Sequence, residues 1–157
     1  MHVDVTRATE RDIGELVLLT SEFWHEVAVQ AGLAGFVSRR EAVGNELREF
    51  LTDPDYAVFI ARSHRGHPLG FCTVFPMAVQ LREEPFAILD KLFVRRDYRR
   101  RKIGHALVDE AKRFTRVGKG KRLQATMPAF FTLDEALAFF RAERFYETGG
   151  RKHKIAV

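Results

Sequence analysis

Cysteine is nearly absent from the 157-residue chain, which contains only Cys72. A single cysteine excludes an intramolecular disulfide, so disulfide-stapled folds are ruled out and a reducing compartment is expected. Long apolar runs are also missing: the longest have four or five residues, as at 16–19, whereas a membrane-spanning helix needs about 20. The first 12 residues are charged and have no apolar segment typical of a signal peptide. We therefore expect a cytoplasmic protein with no membrane partner.

The residues that are present are typical of a soluble globular domain, with 46% hydrophobic and 30% charged residues. The length predicts one domain spanning 1–157. Charge is unevenly spread: residues 91–122 contain 13 Lys and Arg but 3 Asp and Glu, a net of +10, within a chain whose total is +5. Such a segment favours an anionic partner, either nucleic acid, a phosphorylated cofactor or an acidic surface. A solvated basic face is the alternative explanation.

Hydrophobic periodicity predicts an α+β fold with the element order βααβββαβαβ and a mostly antiparallel sheet. Alternating residues predict strands at 3–7, 56–62, 69–75, 86–94 and 122–126. Helical spacing predicts helices after Thr9, after Ser38, at 103–117 and at 133–143, and residues 145–157 are predicted to contain the last strand. The histidines His64 and His67 lie in a hairpin turn without a cysteine or carboxylate pair nearby. We therefore predict no metal site.

The most informative motif is LDKLFVRRDYRRRKIGHAL at 89–107. A predicted strand runs into a basic turn, and the turn opens a predicted helix. Backbone N–H groups at a helix N-terminus have no partner within the helix, and the helix dipole adds partial positive charge there. Together they form an anion site suited to a pyrophosphate. Four side chains would add positive charge around it: Arg99, Arg100, Arg101 and Lys102.

This junction resembles that of the GNAT superfamily of N-acetyltransferases, where the pattern is roughly L-x-V-x-P-x-Y-R-G-K-G-I-G-x-A-L. The matching residues are Leu92, Val94, Tyr98, Arg99, Ile103, Gly104, Ala106 and Leu107. The opening strand and helix and the segment 133–145 resemble the same family, so the resemblance spans nearly the whole chain. It implies a GNAT-like mixed sheet flanked by helices, acetyl-CoA as cosubstrate, and acetyl transfer to a primary amine of a small molecule or peptide.

The resemblance also implies roles for individual residues. Backbone amides of 99–104 would bind the pyrophosphate of acetyl-CoA. Strand amides would hold the pantetheine arm and polarise the thioester carbonyl, around Leu92, Phe93 and Val94. Asp90 is the first candidate for the base that accepts a proton from the amine, directly or through a water; the alternative is a strand carboxylate paired with an arginine. Direct attack needs no enzyme nucleophile, and Cys72, within GFCTVF, is predicted to be inert core.

Several residues depart from the family's pattern. Leu133 replaces an asparagine, Phe140 a tyrosine, and Lys102 and Arg144 each a glycine, and the usual proline is Arg96 or Asp97. Lys102 is a tolerable departure if its φ is negative, whereas a positive φ would cost a non-glycine residue about 1–2 kcal/mol. Phe140 has no hydroxyl to protonate the leaving thiolate, a role worth roughly 10²–10⁴-fold. Since a thiol has a pKa of about 8.5, we expect a loss at the low end, and we place Phe140 at the cofactor site or in the core.

Acceptor contacts are predicted in two segments, although each side chain has a core or solvated alternative: Trp24, His25 and Glu26 in the first helix, and Glu83 and Glu84 before the fourth strand. Two other functions stay open. The chain could be an acetyl-CoA-binding module with little catalysis, which Phe140 and Leu133 suggest. It could instead bind nucleic acid through residues 91–122. The resemblance also allows a homodimer, although the sequence shows no interface signature.

Overall fold

The computed structural model describes residues 2–77 except 34, 36 and 38, residues 84–125 and 134–148, and residue 155. Its strands are β1 (Val3–Arg7), β2 (Ala57–Ser63), β3 (Pro68–Met77), β4 (Phe86–Val94) and β5 (Arg122–Ala125). Its helices are α1 (Ile13–Gln30), α2 (Arg40–Thr52), α3 (Ile103–Val117) and α4 (Asp134–Ala142). The predicted α+β class and element order are confirmed over these residues. Most of the predicted last strand lies outside them.

The five strands form one sheet in the order β1-β2-β3-β4-β5. The first four pair antiparallel, and β4 pairs parallel with β5. A parallel pair needs a crossover connection, and α3 supplies it. The mostly antiparallel sheet with one parallel pair at α3 agrees with the prediction.

Each face of the sheet carries its own hydrophobic core. Helices α1 and α2 cover one face, where the buried side chains include Leu16, Leu19, Leu47, Ile60, Phe71 and Phe93. Helix α3 covers the other face, where they include Cys72, Val74, Leu89, Ile103, Leu107 and Val108. The apolar stripe of each helix is the one that its 3.6-residue period predicts. Within the described residues, no helix is both long enough and apolar enough to cross a membrane.

Strand β4 contains one extra residue at a single point of its pairing with β3. Thr73 lies opposite Lys91 and Val74 lies opposite Leu89, so Asp90 has no residue opposite it. An extra residue of this kind is a β-bulge, which bends a strand and re-aims its side chains. The Thr73 hydroxyl accepts a hydrogen bond from the Lys91 N–H at 3.0 Å. The bulge therefore leaves Asp90 at the surface while its neighbours remain bonded.

The bulge also changes which face the second half of β4 presents. Leu89 and Leu92 both pack in the core shared with α3, although they are three residues apart. Phe93 packs in the core shared with α1 and α2. In an unbroken strand, residues three apart point to opposite faces. The extra residue, Asp90, is what allows Leu89 and Leu92 to lie on the same face.

Candidate active site

The two sides of β4 pair with different strands. Within the described residues, β4 pairs with β5 from Phe86 to Leu89 and with β3 from Phe86 to Val94. The Arg95 N–H donates to the Leu69 carbonyl of β3 at 2.9 Å. Backbone groups alternate between the two sides of a strand. Those of Leu92 and Val94 therefore point away from β3, toward the side of the sheet on which β5 lies.

Asp90 directly follows Leu89, which pairs with Ala125 of β5. Its carboxylate is partly exposed, and the Lys91 ammonium lies 2.5 Å from Asp90 Oδ2. The ion-pair partner is thus a lysine, where the sequence suggested an arginine as the alternative to a catalytic role. Burial raises the pKa of Tyr56 to about 12, and the nearby negative charge of Asp90 adds to the rise. At neutral pH, Tyr56 is therefore a neutral hydroxyl near the Asp90 carboxylate.

A cleft lies beside Tyr56, at the end of the sheet where β3 finishes. Its volume is about 560 Å³, and its lining consists of Asp53, Asp55, Tyr56, Phe75, Pro76 and Met77. The Tyr56 ring is stacked between Phe50 and Phe75, with centroid distances of 4.3 and 5.4 Å. The sequence analysis missed this cleft because Asp53-Pro54-Asp55 is also a common turn signal. Two carboxylates directly before an aromatic residue at a strand start were the available signal.

The basic turn between β4 and α3 adopts the conformation that the family's glycines would favour. Arg100 has φ +61° and Lys102 has φ +63°, both in the left-handed region. The sequence left the sign of φ at Lys102 open, and the structure shows the positive, more costly case. Left-handed geometry costs a non-glycine residue about 1–2 kcal/mol. It also turns successive N–H groups toward one side, as in the concave backbone sites that bind anions.

The N-terminus of α3 has strong positive potential. Lys102 is the cap residue, and the first turn of α3 contains no acidic residue. The positive end of the helix dipole therefore faces cations rather than the acids that usually stabilise it. The Ala106 N–H donates to the Lys102 carbonyl, which is the first acceptor of the helix. The N–H groups of Ile103 and Gly104 come before Ala106 and therefore have no acceptor within the helix. An anion at this point would relieve the repulsion and fill these donors.

Arg99 is engaged differently from its three basic neighbours. Its Nη2 donates to both Glu26 oxygens at 2.7 Å, and its Nε donates to the Val94 carbonyl at 2.9 Å. Its backbone N–H donates to the Arg96 carbonyl at 3.2 Å. The donors left for an anion therefore come from residues 100–104. The pyrophosphate contact at those amides stays a prediction, while Arg99 serves to fix the turn.

Comparison with known proteins decides the family. A sequence model described as the acetyltransferase (GNAT) family matches residues 21–148, most of the chain. The chain belongs to this family. It is therefore an acyltransferase, as the sequence motif implied. A search of curated proteins gives no match.

Solved structures share the fold of this acetyltransferase at low sequence identity. A probable acetyltransferase is 18% identical with a TM-score of 0.82, covering 98% of this chain and 97% of its own. The aminoglycoside acetyltransferase AAC(6')-Iy, in complex with a bisubstrate analogue, is 17% identical with a TM-score of 0.82, covering 100% and 99%. AAC(6')-Ih from Acinetobacter baumannii is 14% identical with a TM-score of 0.82, covering 99% of each chain.

In this GNAT enzyme, α4 packs against the start of α3 through aromatic rings. A Cβ added to Gly104 would lie 3.0 Å from the Phe139 ring, so glycine permits this close contact. Phe140 contacts the rings of Phe139 and Phe145 edge to face, at 5.6 and 5.2 Å between centroids. Phe140 is half-buried against the α3-side core. Its ring supports α4, and Leu133 lies outside the described residues.

At the end of α4, as in the basic turn, a cationic residue occupies a position where the family usually has glycine. Arg144 has φ +65°. Its N–H donates to the Arg141 carbonyl, and the Phe145 N–H donates to the Phe140 carbonyl. These two bonds and the Phe140–Phe145 contact form a Schellman motif, which ends a helix with a left-handed residue. The family's glycine at this position thus has a conformational reason.

The predicted acceptor contacts are separated by the fold. Trp24 packs edge to face on Phe23 at 5.1 Å and is half-buried, whereas His25 is exposed. Glu26 is paired with Arg99. Glu84 is exposed, and Glu83 lies outside the described residues. The assignment of these residues to the acceptor remains untested.

A cluster joining α3 to α4 was not anticipated. His105 Nδ1 lies 2.8 Å from Glu143 Oε1, and its Nε2 lies 3.1 Å from Asp109 Oδ2. Each ring nitrogen thus faces a different carboxylate. The Lys112 ammonium lies 3.2 Å from Glu143 and 3.5 Å from Asp109. Lysine therefore already supplies positive charge to both carboxylates, and the cluster ties the two helices together.

Cys72 has the surroundings of a structural residue. Its side chain is fully buried in the α3-side core. Burial raises the pKa of the Cys72 thiol far above its usual value. Because the thiolate is the nucleophilic form, Cys72 is not suited to form an acetyl-cysteine intermediate.

Proposed function

We propose that this acetyltransferase moves an acetyl group from acetyl-CoA to a primary amine by direct attack. The observation that carries the proposal is the cationic turn between β4 and the N-terminus of α3, where Arg100 and Lys102 have left-handed conformations. The turn offers an anion site, and the backbone groups of Leu92 and Val94 on the side away from β3 offer strand donors and acceptors. An extended ligand with a diphosphate at one end fits both. A related fold, AAC(6')-Iy, has been solved with CoA.

The chain's own residues account for each part of the cofactor. Backbone N–H groups of 100–104 hold the pyrophosphate, and the side chains of Arg100, Arg101 and Lys102 surround it with positive charge. The outward backbone groups of Leu92 and Val94 pair with the pantetheine amides as a further strand would. A strand N–H at the end of this segment polarises the thioester carbonyl.

The chemical step follows from these positions. A neutral amine attacks the carbonyl carbon, the C–S bond breaks, and the CoA thiolate leaves. Asp90 accepts the proton released by the amine, directly or through a water, since its carboxylate is accessible at the bulge. Phe140 offers no proton, so the thiolate is protonated by solvent.

The acceptor we propose is an amine that carries a second positive charge. The cleft beside Tyr56 presents the carboxylates of Asp53 and Asp55 next to stacked rings. Phe75 lies two residues beyond Thr73, which is opposite the bulge, so the cleft lies on the order of 7 Å along the strand from the reacting position. Carboxylates and aromatic faces both attract cations. Several solved structures of this fold are named aminoglycoside acetyltransferases.

Two measurements test the proposal. Calorimetry should show that acetyl-CoA binds the chain, and that pantetheine, which lacks the diphosphate, binds far more weakly. CoA release should then be followed with a panel that pairs monoamines and diamines of equal chain length. Diamines are expected to have the higher kcat/KM. No binding at millimolar acetyl-CoA would overturn the cofactor assignment, and equal rates for the two amine classes would overturn the acceptor assignment.

Phe140 favours one alternative, in which the domain binds acetyl-CoA and catalyses little. The two functions differ in turnover once acetyl-CoA binding is established. Under the alternative, no amine of the panel releases CoA above the hydrolysis background. If the missing hydroxyl limits the rate, Phe140→Tyr should raise CoA release, with Phe139→Tyr as the matched control.

A further inference from the structure

Two acidic residues of α1 hold the connection between β4 and α3. Glu22 and Glu26 are one turn apart, so they share a face of the helix. Glu22 accepts from Arg95 Nε and Nη2 at 2.8 and 2.7 Å, and Glu26 accepts twice from Arg99 at 2.7 Å. The side chains are partly buried, from about 24% to 36% exposed. The Glu22 pair joins two arginine nitrogens to two carboxylate oxygens, whereas in the Glu26 pair one nitrogen, Arg99 Nη2, donates to both oxygens. Charge-assisted hydrogen bonds of both kinds are stronger than neutral ones.

The two arginines differ in where their other hydrogen bonds go. Arg95 lies directly after β4 and is also bonded to β3, since its N–H donates to the Leu69 carbonyl and its Nη1 donates to the Pro68 carbonyl at 2.8 Å. Arg99 directly precedes the first left-handed residue, and its other two bonds go to the nearby Val94 and Arg96 carbonyls. Of the hydrogen bonds that the structure describes for Arg99, the pair with Glu26 is therefore the one that joins the turn to α1.

The turn needs such a contact because its conformation is strained. Arg100 and Lys102 have positive φ values, which L-residues avoid. Strained backbone persists only where the surrounding structure holds it. On the far side the turn is held by α3, whose Ala106 N–H bonds to the Lys102 carbonyl. On the near side it is held by Arg99.

We propose that Glu26 is a positioning residue for acetyl-CoA: it clamps Arg99 so that the strained turn 100–102 keeps its N–H groups aimed at the diphosphate. The inference rests on the proposed function, because it assumes that the diphosphate binds this turn. It gives Glu26 a role on the cofactor side, in place of the acceptor contact that its position in the sequence suggested. It also makes α1 part of the cofactor site without contacting the cofactor.

The test compares Glu26→Gln with Glu22→Gln, two equal chemical changes one helical turn apart. Glu26→Gln should raise the Kd of acetyl-CoA about tenfold, the effect of about 1.4 kcal/mol, and should raise the KM for acetyl-CoA similarly. Glu22→Gln should change either value less than about threefold. The KM for the amine, measured at saturating acetyl-CoA, should not follow the Kd. Glu26→Asp keeps the charge with a shorter reach and should give an intermediate Kd.

A second comparison uses the strain directly. Lys102→Gly places a glycine, which adopts a positive φ without strain, at one of the two left-handed positions. The turn should then depend less on the Glu26–Arg99 pair. Adding Glu26→Gln to Lys102→Gly should therefore raise the Kd less than adding it to the wild type, and such non-additivity measures coupling between the two sites. A purely structural role for Glu26 would lower the melting temperature without this coupling.

The outcomes separate the two proposals. If the wild type does not bind acetyl-CoA, the proposed function fails. If the wild type binds and Glu26→Gln binds equally well, the positioning role is wrong while the function stands. If Glu26→Gln changes only the KM for the amine, Glu26 contacts the acceptor and the inference is overturned. If Glu26→Gln melts too low for titration, the Kd of Glu26→Asp decides in the same way.

Discussion

At the scale of single residues, Asp90 is the carboxylate whose position depends most on an irregularity of the backbone. If it is the base, Asp90→Asn should lower kcat/KM roughly 10²–10³-fold at neutral pH, and the acidic limb of the pH profile should disappear with it. Steady-state rates over a range of pH measure both effects. Asp55→Asn, which removes a carboxylate at the cleft, is the control and should keep the acidic limb. A variant at Asp90 that retains both the height and the limb would contradict the assignment.

Tyr56 makes a separate prediction about stability at alkaline pH. Burial raises the pKa of Tyr56 to about 12 from the ordinary value of 10.0. Because the pKa is raised in the folded state, the contribution of neutral Tyr56 to the free energy of unfolding is fully present below pH 10. This contribution is lost as the pH rises from 10 to 12. Two pKa units correspond to about 2.7 kcal/mol at most, and because the residue is partly exposed we expect about 1 kcal/mol. Urea melts at pH 9 and pH 11.5 should show a larger drop in the wild type than in Tyr56→Phe.

Single residues were predicted with uneven success, and the reason is physical. The pattern of the family places glycines at positions 100 and 102, which signals a left-handed turn, but the cations at these positions in this chain left the sign of φ open. The pairs formed by Glu22 and Glu26 left no local signal at all. Each joins residues 73 positions apart, and only the packing of α1 against the end of β4 brings them together. Charge and spacing along a helix identify an exposed acid but not its distant partner.

At the scale of elements, the start of α3 offers a test with a control built into the chain. Gly104 and Gly14 are each the second residue of a helix, α3 and α1. Gly14 has open space around an added Cβ, whereas at Gly104 it would lie 3.0 Å from Phe139. Gly14→Ala should raise the free energy of unfolding by about 0.5–1 kcal/mol. Gly104→Ala should gain about 1 kcal/mol less, because Phe139 must shift.

Denaturant melts of the two alanine variants measure that difference directly. Equal gains at both positions would mean that α4 yields freely to the added methyl group. In that case the contact with Phe139 would not be what requires glycine at position 104.

Elements were predicted better than their irregularities. The bounds of β1, β4 and α3 agree with the sequence prediction, since each has a clear period and a clear boundary. The bulge was not predicted, because the residues LDKLFV suit a regular strand equally well. One signal was present: Leu89 and Leu92 are apolar and three apart, which an unbroken half-buried strand would not favour. A central strand that is covered on both faces can be apolar at every position, so the spacing of these two leucines does not stand out.

At the scale of the whole molecule, the charge is divided so that the segment proposed to bind the cofactor is cationic. Residues 91–122 carry a net +10 and the rest of the chain a net −5. If the diphosphate is held by this charge, the Kd of acetyl-CoA should rise several-fold between 50 and 500 mM NaCl, because salt screens the attraction. Calorimetry at the two salt concentrations measures it, with pantetheine as a ligand that should show little change. A Kd that does not depend on salt would mean that backbone amides alone bind the diphosphate.

The same measurement bears on nucleic acid. Duplex DNA bound by residues 91–122 would compete with acetyl-CoA and show a steeper dependence on salt. The family membership and the left-handed conformations in the turn before α3 favour the cofactor. We also propose that 1–157 form one domain, since one sheet joins β1 to β5 and α1 bonds to the end of β4. The homodimer remains a prediction.

The bulge at Asp90 gives deletion a different meaning from substitution. Asp90→Asn exchanges one functional group, whereas deleting residue 90 would take out the extra residue of the bulge. Leu89 and Leu92 would then be two residues apart, the spacing at which an unbroken strand places both side chains on the same face. Both leucines would stay in the core shared with α3, and Phe93 would stay in the other core, so the pairing of β4 with β3 does not require this residue. Residue 90 is thus an insertion that adds a surface carboxylate to a strand whose packing is already complete without it.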